Sequence, residues 1–391
     1  MKRKICSITG TRADYGLMRP IFSAIAGQQM LHLDLIVTGM HLLPEFRTSL
    51  TAIEKDGYGD LHRCSMILGE DSGKAMAQSF SLAVFGMAEL LDMIQPDLVL
   101  LQGDRGEMLA GALCAAHMNI SIVHMSGGDL SGSIDDSIRN AISKFSHIHL
   151  TTCKQSSERL LAMGESATRI REVGEPGLDA IRQMDFISGD SLAQEFGLDL
   201  SQPIILGTQH PVTTEADQAA WQMTQTLDAL ADLSIQTIFT YPNTDAGGRE
   251  MVRVLDRFQD KELIRIVPNL GSEKYLSLLK IASVLVGNSS SGILEAPSFK
   301  IPVVNIGTRQ QGRLRASNVL DVGHDSRAIK EAIQVGLHDK TFRARLAECT
   351  NPYGDGYTAD KTLDILTGLR LTKTLLAKWT PTDERFLPGG P

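Results

Sequence analysis

Short, continuously apolar runs alternate with longer amphipathic segments along the whole chain, and this alternation constrains the fold more than any other feature. Parallel strands need crossover connections of a dozen or more residues, and strands buried on both faces are apolar without a break. The sequence therefore predicts an α/β fold of parallel sheets with helices on both faces. The predicted strands are 5–9, 33–37, 98–101, 121–124, 147–151, 204–207, 237–240, 284–286 and 303–306, and predicted helices include 109–118 and 273–281.

The length of the chain, 391 residues, exceeds what one ordinary core accommodates and predicts two domains. Glycine and proline interrupt the alternation at 173–177. We therefore expect two doubly wound, Rossmann-like domains that face each other across a cleft, at 1–175 and 176–358. The last helix, 359–379, is expected to pack back on the first domain, and 380–391 to form a flexible tail.

Composition excludes several classes of protein. A net charge of −8 argues against a nucleic-acid or membrane-surface role, and no apolar stretch approaches the roughly 20 residues that span a bilayer. The apolar run near the N-terminus is too short for a secretory signal. Because the five cysteines are scattered without a CxxC pair, we expect reduced thiols, a cytoplasmic protein and no metal site.

Polar residues follow the predicted strands, which is where doubly wound domains bind ligands. The run GNSSSG at 287–292 lies between a strand and a helical stretch. Its glycines allow close approach to the backbone, and the N–H groups of a helix start favour an anion. Glu295 is placed to accept a hydrogen bond from a ribose. The run is therefore either a nucleotide-phosphate site or a helix cap with spare serines.

Other polar groups follow strands in the second half of the chain. His210 either donates to a diphosphate oxygen or is a structural histidine. The run YPN at 241–243 ends another strand, and GTRQQGR at 307–313 ends a third. Arg309 and Arg313 in that last run suit recognition of phosphate or substrate.

The run TGTRADYG at 9–16 follows the first strand but lacks the GxGxxG spacing of a dinucleotide site, which argues against NAD. Its Arg12 either clamps a phosphate with two hydrogen bonds or pairs with Asp14 on the surface. No cofactor is expected from the sequence.

Four carboxylates follow strands of the first half. Asp104 lies in QGDRGE, Asp129 ends HMSGGD, and Asp135 and Asp136 begin a helix. Capping alone explains the last two. Carboxylates crowded on one edge of a cleft raise one another's pKa, which lets one act as a base and another as an acid near neutral pH.

Taken in order, these segments resemble the hydrolysing UDP-N-acetylglucosamine 2-epimerases, a family that includes bacterial enzymes of sialic-acid biosynthesis and the epimerase part of a bifunctional mammalian enzyme. The resemblance spans nearly the whole chain and implies two domains of the glycosyltransferase-B type, no metal, and a homodimer. The similarity runs through RADY at 12–15, GDR at 103–105, SGSIDDSIR at 131–139, QHPVTT at 209–214, YPN at 241–243, GNSS at 287–290 and GTRQ at 307–310.

The resemblance also implies roles for individual residues. UDP is held mainly by the second domain, three residues reach it from the first, and aspartates of the first domain match the family's acids. The residues implied for UDP are His210, Asn243, Leu270, Ser289, Ser290, Glu295 and Arg309, with Arg12, Ala13 and Arg105 from the first domain; the acids are Asp104, Asp135 and Asp136.

The family's reaction suits these residue types. A base removes the proton at C2 of the sugar while UDP leaves from C1, which gives a 2-acetamidoglucal. Water then adds with the opposite configuration at C2 and releases N-acetylmannosamine and UDP, for nonulosonic (sialic) acid biosynthesis. Hydrogen-bond donors on the departing diphosphate make the elimination feasible.

Two departures from the family pattern concern the sugar. Ser126 stands where relatives often carry Glu, and a serine is a poor general base, so Asp129 is expected to share that role. Ser126 and Gly106 are also small, which would leave room for a bulkier sugar. The alternative substrate is therefore UDP-N,N'-diacetylbacillosamine, for legionaminic acid. Rival classes are a glycosyltransferase with the same architecture, a non-hydrolysing epimerase, and a protein that binds UDP-sugar without turnover.

Overall fold

The computed structural model describes residues 2–44, 47–68, 72–130, 134–243, 245–258 and 263–378. Its contacts divide the chain into two compact units, Met1–Arg182 with Tyr353–Pro391, and Gln183–Pro352. The boundaries thus fall a few residues from the predicted 175 and 358. The reason is local. The backbone N–H of Glu175 donates to the carbonyl of Tyr353 at 2.7 Å, so the segment 173–177, where we expected the boundary, belongs to the first unit.

The first unit is built on a parallel sheet of seven strands in the order β3-β2-β1-β4-β5-β6-β7. Helices follow the strands in alternation, as predicted. The strands are β1 Arg3–Thr9, β2 Leu31–Thr38, β3 Asp60–Cys64, β4 Leu98–Gln102, β5 Ser121–Met125, β6 Ile148–Thr151 and β7 Ile170–Glu172, and the helices are α1 Arg12–Ala26, α2 Arg47–Asp56, α3 Gly73–Ile94, α4 Gly106–His117, α5 Ile134–Phe145, α6 Lys154–Ala162 and α7 Gly177–Gln183.

The inner strands of this sheet are buried on both faces. Alternate residues of β1 point to opposite sides: Ile5 joins the core under α1, whereas Cys6 and Ile8 join the core under α3 and α4. All three side chains are at most 1% exposed. This two-sided burial is why the inner strands read as unbroken apolar runs.

The second unit is a parallel sheet of six strands in the order β10-β9-β8-β11-β12-β13. The two predicted Rossmann-like α/β units are confirmed by these sheets. The strands are β8 Ile205–Thr208, β9 Thr237–Thr240, β10 Ile264–Val267, β11 Val284–Gly287, β12 Val303–Ile306 and β13 Val319–Val322, and the helices are α8 Gly189–Phe196, α9 Ala219–Leu233, α10 Gly248–Asp256, α11 Gly271–Ile281, α12 Ser291–Leu294, α13 Ala296–Phe299, α14 Ser326–His338 and α15 Lys340–Ala347.

Four of these strands were not predicted, and all four lie at sheet edges. They are β3 and β7 in the first sheet and β10 and β13 in the second. Their residues are largely half-buried or exposed, in contrast to the fully buried β4 and β8. An edge strand lacks a neighbour on one side and carries polar residues, so it gives no continuous apolar run.

Helix α3 corrects one expectation from composition. It has 22 residues and is long and apolar enough to cross a membrane, judged by length and composition alone. Its buried face, which includes Ala83, Met87 and Leu91, packs on the first sheet. Met76 and Phe85 on other faces are more than 70% exposed. Only 28% of its most apolar window is buried, so packing on the sheet accounts for one face of the helix and not for its apolar exposed faces.

The chain returns to the first unit through α16 Thr358–Gly368 and α17 Lys373–Leu376. The predicted helix 359–379 is therefore wrong in extent, since it ends at Gly368. Helix α16 packs on α1 and contributes Leu366, fully buried, to the core. The predicted tail 380–391 lies outside the described residues.

One buried carboxylate fixes the start of this returning helix. Asp179 of α7 is 0% exposed and accepts hydrogen bonds from the backbone N–H groups of Thr358 at 2.8 Å and Ala359 at 2.7 Å. These are N–H groups of the first turn, which have no partner within the helix.

Replacing Asp179 by Ala is expected to destabilise the first unit by about 2–5 kcal/mol, because each buried donor left without a partner costs about 1–3 kcal/mol. Urea-induced unfolding, with hydrogen exchange of the α16 amides, measures the loss. The matched control is Asp325→Ala, which removes the exposed cap of α14 from Ala328 and should cost about 1 kcal/mol. Equal losses in the two variants would contradict the special role of Asp179.

Candidate functional site

In the second unit, Asn288 ties together the carboxyl ends of three neighbouring strands. Its Oδ1 accepts from the backbone N–H of His210 at 2.7 Å, and its Nδ2 donates to the carbonyl of His210 at 2.8 Å. Its own carbonyl accepts from Arg309 at 3.1 Å and from the Gln310 side chain at 2.8 Å. The segments after β8, β11 and β12 are thus held at one edge of the sheet, as the sequence predicts for a ligand site.

His210 is held as a neutral hydrogen-bond donor. Its Nδ1 accepts from the backbone N–H of Asn243 at 2.9 Å, which leaves the proton on Nε2. Burial, and then the charge of Arg309, lower the pKa of His210 to about 4, while Asp245 opposes the shift. At neutral pH the ring therefore offers an N–H without carrying a charge.

Two arginines of the segment after β12, Arg309 and Arg313, are near enough for their charges to interact, and Arg309 also acts on His210. Burial lowers the pKa of Arg309, and the neighbouring charge of Arg313 lowers it further, whereas Asp245 opposes both. A site that holds two guanidinium groups against their own repulsion is suited to a multiply charged anion.

The turn after β11 has the close backbone approach that its glycine predicts. Gly287 has φ +130°, and a Cβ there would lie 1.9 Å from the carbonyl oxygen of Thr208. The helix that follows is shorter than predicted: α12 ends at Leu294. Because α12 has only four residues, its dipole is weaker than that of a longer helix. Hydrogen bonds from the serines would therefore contribute more to holding an anion than the helix end would.

Hydroxyl groups and one carboxylate gather behind this turn. Ser289 and Ser290 are half-buried at its start, and the Oγ of Ser289 accepts from the N–H of Ser291 at 3.3 Å. Burial raises the pKa of Glu295, and burial also raises that of Tyr275 to about 12, with Ser291 lowering both. The Tyr275 hydroxyl and Oε2 of Glu295 are both buried without a hydrogen bond from any described residue. Tyr275 is a residue of this group that the sequence did not single out.

The remaining predicted residues of the second unit also lie near strand ends. Asn243 donates from Nδ2 to Asp245 at 2.5 Å, and its Oδ1 is buried without a hydrogen bond from any described residue. Leu270 follows β10 as the residue before α11 and is 9% exposed. Leu270 thus offers backbone and an apolar side chain, as expected for a base-binding position.

In the first unit, Arg139 of α5 joins two of the predicted acids. Its NH2 donates to Oδ2 of Asp104, its NH1 donates to the carbonyl of Ser126 at 3.1 Å, and the same NH1 lies 3.7 Å from Oδ2 of Asp129. Arg139 is 6% exposed. A buried cation between two carboxylates offsets their mutual repulsion.

The two acids differ in how they are held. Asp129 accepts at Oδ1 from the hydroxyl of Thr152 at 2.7 Å and from that of Ser156 at 2.5 Å. Asp104 lies two residues after the end of β4, and its side chain is as exposed as that of Asp129, at 21%. Asp129 is thus tied to its own unit by several donors.

Asp135 and Asp136 lie in the first turn of α5, four and three residues before Arg139. Residues at this spacing are neighbours on one helix face. Asp135 and Asp136 therefore lie on the part of α5 that carries Arg139, which itself contacts Asp104 and lies near Asp129. Residues 131–133 of the family motif lie outside the described residues.

Ser126 adopts a left-handed backbone conformation, with φ +62°. It is 4% exposed, and its Oγ lies 3.1 Å from the Nε2 of Gln102, which donates to it. A positive φ in a non-glycine residue is uncommon and concentrates at functional sites. Next to it, burial lowers the pKa of His124 to about 3, so this ring is neutral between the Gly103 carbonyl and Ser143.

The segment after β1 is organised by Asp14 and leaves Arg12 exposed. The carboxylate of Asp14 accepts from the backbone N–H of Thr11 at 2.8 Å and caps α1, with further bonds from Thr9. The predicted alternative of an Arg12–Asp14 pair is therefore wrong. Ala13 is also exposed in the first turn of α1.

Arg105 precedes α4 and donates to Oε1 of Glu107 at 3.2 Å. Glu107 is 5% exposed and packs beneath two loops: a Cβ on Gly10 or Gly39 would lie within 2.8 Å of its Oε1. Glu107 and Arg139 were missed as site residues. The i, i+4 spacing of Asp135 and Arg139 was the available signal for the arginine.

The fold and these two clusters define a two-unit α/β protein with a group of two arginines and a histidine in one unit and an arginine-bridged set of acids in the other. The family model for UDP-N-acetylglucosamine 2-epimerase matches residues 23–367. The chain belongs to the UDP-N-acetylglucosamine 2-epimerase family, and the predicted class of enzyme, a UDP-sugar 2-epimerase, is confirmed.

Relatives cover nearly the whole chain. The hydrolysing UDP-N,N'-diacetylbacillosamine 2-epimerase of Legionella pneumophila is 37% identical over 97% of this chain and 99% of its own length. The UDP-N-acetylglucosamine 2-epimerase of Neisseria meningitidis serogroup B is 38% identical over 88% of this chain and 90% of its own length. The GDP/UDP-N,N'-diacetylbacillosamine 2-epimerase of Campylobacter jejuni is 38% identical over 82% and 84%.

Solved structures share the fold. The UDP-GlcNAc 2-epimerase of Neisseria meningitidis bound to UDP-GlcNAc superposes with a TM-score of 0.77, at 17% identity, over 94% of this chain and 100% of that one. The enzyme of Methanocaldococcus jannaschii in complex with UDP-GlcNAc and UDP gives a TM-score of 0.72, at 20% identity, over 93% and 99%.

His210 is expected to remain neutral from pH 8 down to about pH 5, with its proton on Nε2, because burial and Arg309 hold its pKa at about 4. Nitrogen-detected NMR of the labelled ring, assigned with a His210→Gln variant, reports both the tautomer and the titration. A midpoint near the unperturbed value of about 6.5 would contradict this assignment.

Proposed function

We propose that the protein is a hydrolysing 2-epimerase that converts a UDP-2-acetamido sugar and water into UDP and the free sugar with inverted configuration at C2. The observation that carries the proposal is the group of His210, Arg309 and Arg313 in the second unit. Asn288 binds both His210 and Arg309, and the charge of Arg313 acts on Arg309. A bound diphosphate relieves that repulsion. The full-length relatives named as hydrolysing 2-epimerases support the same reaction.

The second-unit group stabilises the departing UDP. As the bond from C1 to the diphosphate breaks, negative charge grows on the phosphate oxygens. Arg309 and Arg313 offset that charge, and the Nε2–H of His210 donates to it. Ser289 and Ser290 supply further donors at the turn after β11, while Glu295 accepts from the ribose. The anion also raises the pKa of His210, so UDP binds more tightly as the pH falls toward 5.

The first-unit acids carry the proton transfers. One carboxylate takes the proton from C2 as the C1–O bond breaks, which leaves the 2-acetamidoglucal. Water then adds across the double bond: its hydroxyl goes to C1, and a proton returns to C2 on the opposite face. Asp104 is the preferred base, because the resemblance implies it as an acid of the site and Arg139 orients its carboxylate. The carboxylate of Asp129 is held by the hydroxyls of Thr152 and Ser156 and also lies near Arg139.

Arg139 acts on this set as a positioning residue. It holds Asp104 against the end of β5, and it fixes the orientation of the carboxylate. Asp135 and Asp136, one turn earlier on α5, supply the second acid–base group, which returns the proton or activates water.

Two sugars fit the proposal. UDP-N-acetylglucosamine is the substrate named for the Neisseria relative. UDP-N,N'-diacetylbacillosamine is favoured by the Legionella relative, which matches 97% of the chain. One local feature supports the bulkier sugar: at Gly106 an added Cβ would meet only the Phe80 ring, at 3.9 Å, so the first turn of α4 has free space.

The direct test is proton NMR of the enzyme in heavy water with each sugar nucleotide in turn. We expect free UDP together with a manno-configured sugar that carries deuterium at C2, because the proton returned to C2 comes from solvent. The ratio of kcat/KM for the two substrates assigns specificity. A Gly106→Leu variant should lower kcat/KM for the diacetamido sugar more than for UDP-N-acetylglucosamine.

Three other outcomes would contradict the proposed reaction. Epimerised UDP-sugar without free UDP would indicate a non-hydrolysing epimerase. Transfer of the sugar to an acceptor with C2 intact would indicate a glycosyltransferase. UDP binding with no turnover of either substrate would indicate a binding protein.

Asp104→Asn is expected to lower kcat by about a hundredfold or more, since a lost general base costs about 10²–10⁴. UDP affinity, measured by calorimetry, should change by less than about twofold because the UDP donors lie in the second unit. Asp129→Asn is the matched control: its side-chain oxygen still accepts from Thr152 and Ser156, so a smaller loss is expected. The reverse order would assign the base to Asp129.

The homodimer and the cytoplasmic location stay predictions. In a homodimer, the exposed Met76 and Phe85 of α3 are the apolar side chains that a partner would cover, and light scattering of the purified protein measures its mass.

A further inference from the structure

Four potential metal ligands share one face at the outer edge of the first sheet. His32 and Asp34 lie two residues apart on β2, and Asp60 and His62 lie two residues apart on β3. The two strands are parallel, with Asp34 opposite Asp60. Because side chains two apart point to the same side, all four project together. The group forms no motif in the sequence, because helix α2 separates the two strands along the chain.

The distances within the group match the edges of a metal coordination tetrahedron. The Nε2 of His32 lies 3.5 Å from Oδ2 of Asp34 and 3.1 Å from Oδ2 of Asp60. Ligand atoms of these three residues all lie within 4.8 Å of one another. Around zinc, with bonds of about 2.0–2.1 Å, neighbouring ligand atoms of a tetrahedron are about 3.3 Å apart.

Asp34 supplies the second observation. It is 6% exposed, and its Oδ2 is buried without a hydrogen bond from any described residue. Buried carboxylate oxygens rarely go unpaired, because removing them from water costs free energy that a partner must offset. This oxygen faces the His32 ring nitrogen, which is where a shared cation would lie.

His62 completes the arrangement from behind. Its Nε2 lies 2.8 Å from the other oxygen of Asp34, Oδ1, so it orients the carboxylate with Oδ2 toward His32. A side chain that fixes a ligand from the second layer is a regular feature of protein metal sites. His62 is therefore the outer partner, and His32, Asp34 and Asp60 are the ligands.

A glycine brings the two strands into this register. A Cβ on Gly59 would lie 2.3 Å from the carbonyl oxygen of Leu33, so only glycine allows the chain to pass there and place Asp60 beside Asp34. The group lies toward the amino ends of β2 and β3. The clusters described above follow the carboxyl ends, and the four residues from Asp34 to Thr38 span roughly 13 Å.

We propose that His32, Asp34 and Asp60 bind a divalent transition-metal cation of the zinc type, oriented by His62, at a structural site separate from the sugar-nucleotide chemistry. One imidazole and two carboxylates suit zinc, whereas magnesium and calcium prefer all-oxygen sites. Water fills the fourth position, because Asp60 is 71% exposed on its side chain. The cation pins the edge strand β3 to β2, where no further strand supports it.

The test is calorimetric titration of the chelator-treated, full-length protein with zinc chloride. We expect one zinc per chain with a dissociation constant of about 10 µM or tighter, and a melting temperature that rises with zinc. Cobalt(II) should give the visible spectrum of a tetrahedral nitrogen–oxygen site without a thiolate charge-transfer band, which excludes the cysteines as ligands.

Variants locate the site. His32→Ala and Asp60→Asn should each weaken zinc binding about a hundredfold or more, and His62→Gln about 10–100-fold, as for outer-layer partners. Asp60 is exposed, so its variant tests the site even if a change at buried Asp34 impairs folding. His117→Ala, an exposed histidine on α4, is the control and should bind as the wild type does.

Two results would overturn the proposal. One is the absence of stoichiometric zinc binding up to about 100 µM, which would leave the group as ordinary histidine–aspartate pairs. The other is zinc binding that survives both His32→Ala and Asp60→Asn, which would place the metal elsewhere. Turnover of the sugar nucleotide should be unchanged when zinc is removed at a temperature below melting, so failure of this proposal is independent of the enzymatic one.

Discussion

The hydrogen bonds of Asn288 are the interaction on which the arrangement of His210 and Arg309 depends. One amide side chain holds the segment after β8 by both its oxygen and its nitrogen, while the carbonyl of the same residue receives Arg309 and Gln310 from the segment after β12. Asn288 is 1% exposed, so these bonds form away from water and are costly to break. His210 and Arg309 stand beside one another because of this residue.

In the first unit, a charged residue, Arg139, holds the cluster together as Asn288 does in the second. Arg139 spans from α5 to the ends of β4 and β5, and the carboxylate of Asp104 and the carbonyl of Ser126 converge on it. In the second unit, an uncharged amide can hold the loop segments together without neutralising the arginines, so their positive charge is available to an anion. A buried arginine is needed where carboxylates are gathered, because their repulsion would otherwise open the cluster. The contrast accounts for an anion site in one unit and an acid site in the other.

Burial decides how much of the fold the sequence reveals. The inner strands, such as β4 with every residue buried, give an unbroken apolar run and are predicted within a residue or two. The edge strands give no such run. In β3, for example, Asp60, His62 and Arg63 interrupt the apolar residues. Helix α16 was predicted too long, since the amphipathic pattern continues beyond Gly368 although the regular helix does not.

The candidate site divides in a similar way. Residues in loops that directly follow strands, such as Asp104 and His210, are found from sequence because the topology fixes where strand ends lie. Arg139 is 35 residues from Asp104 along the chain, and Tyr275 lies in a helix with no motif, so their part in the clusters depends on tertiary packing. The histidines and aspartates of β2 and β3 are recognised only once the two strands are in register.

The return of the chain to the first unit has a consequence for how the protein is made. The core beneath α1 includes Ala359 and Leu366, and Arg3 of the first strand donates to the carbonyl of Leu369 at 2.7 Å. On the ribosome these partners emerge more than 300 residues after β1, whereas 183–352 form a continuous unit that is synthesised without interruption. The second unit can therefore complete its fold during translation, and the first must wait, with part of its core uncovered, until the last segment is released.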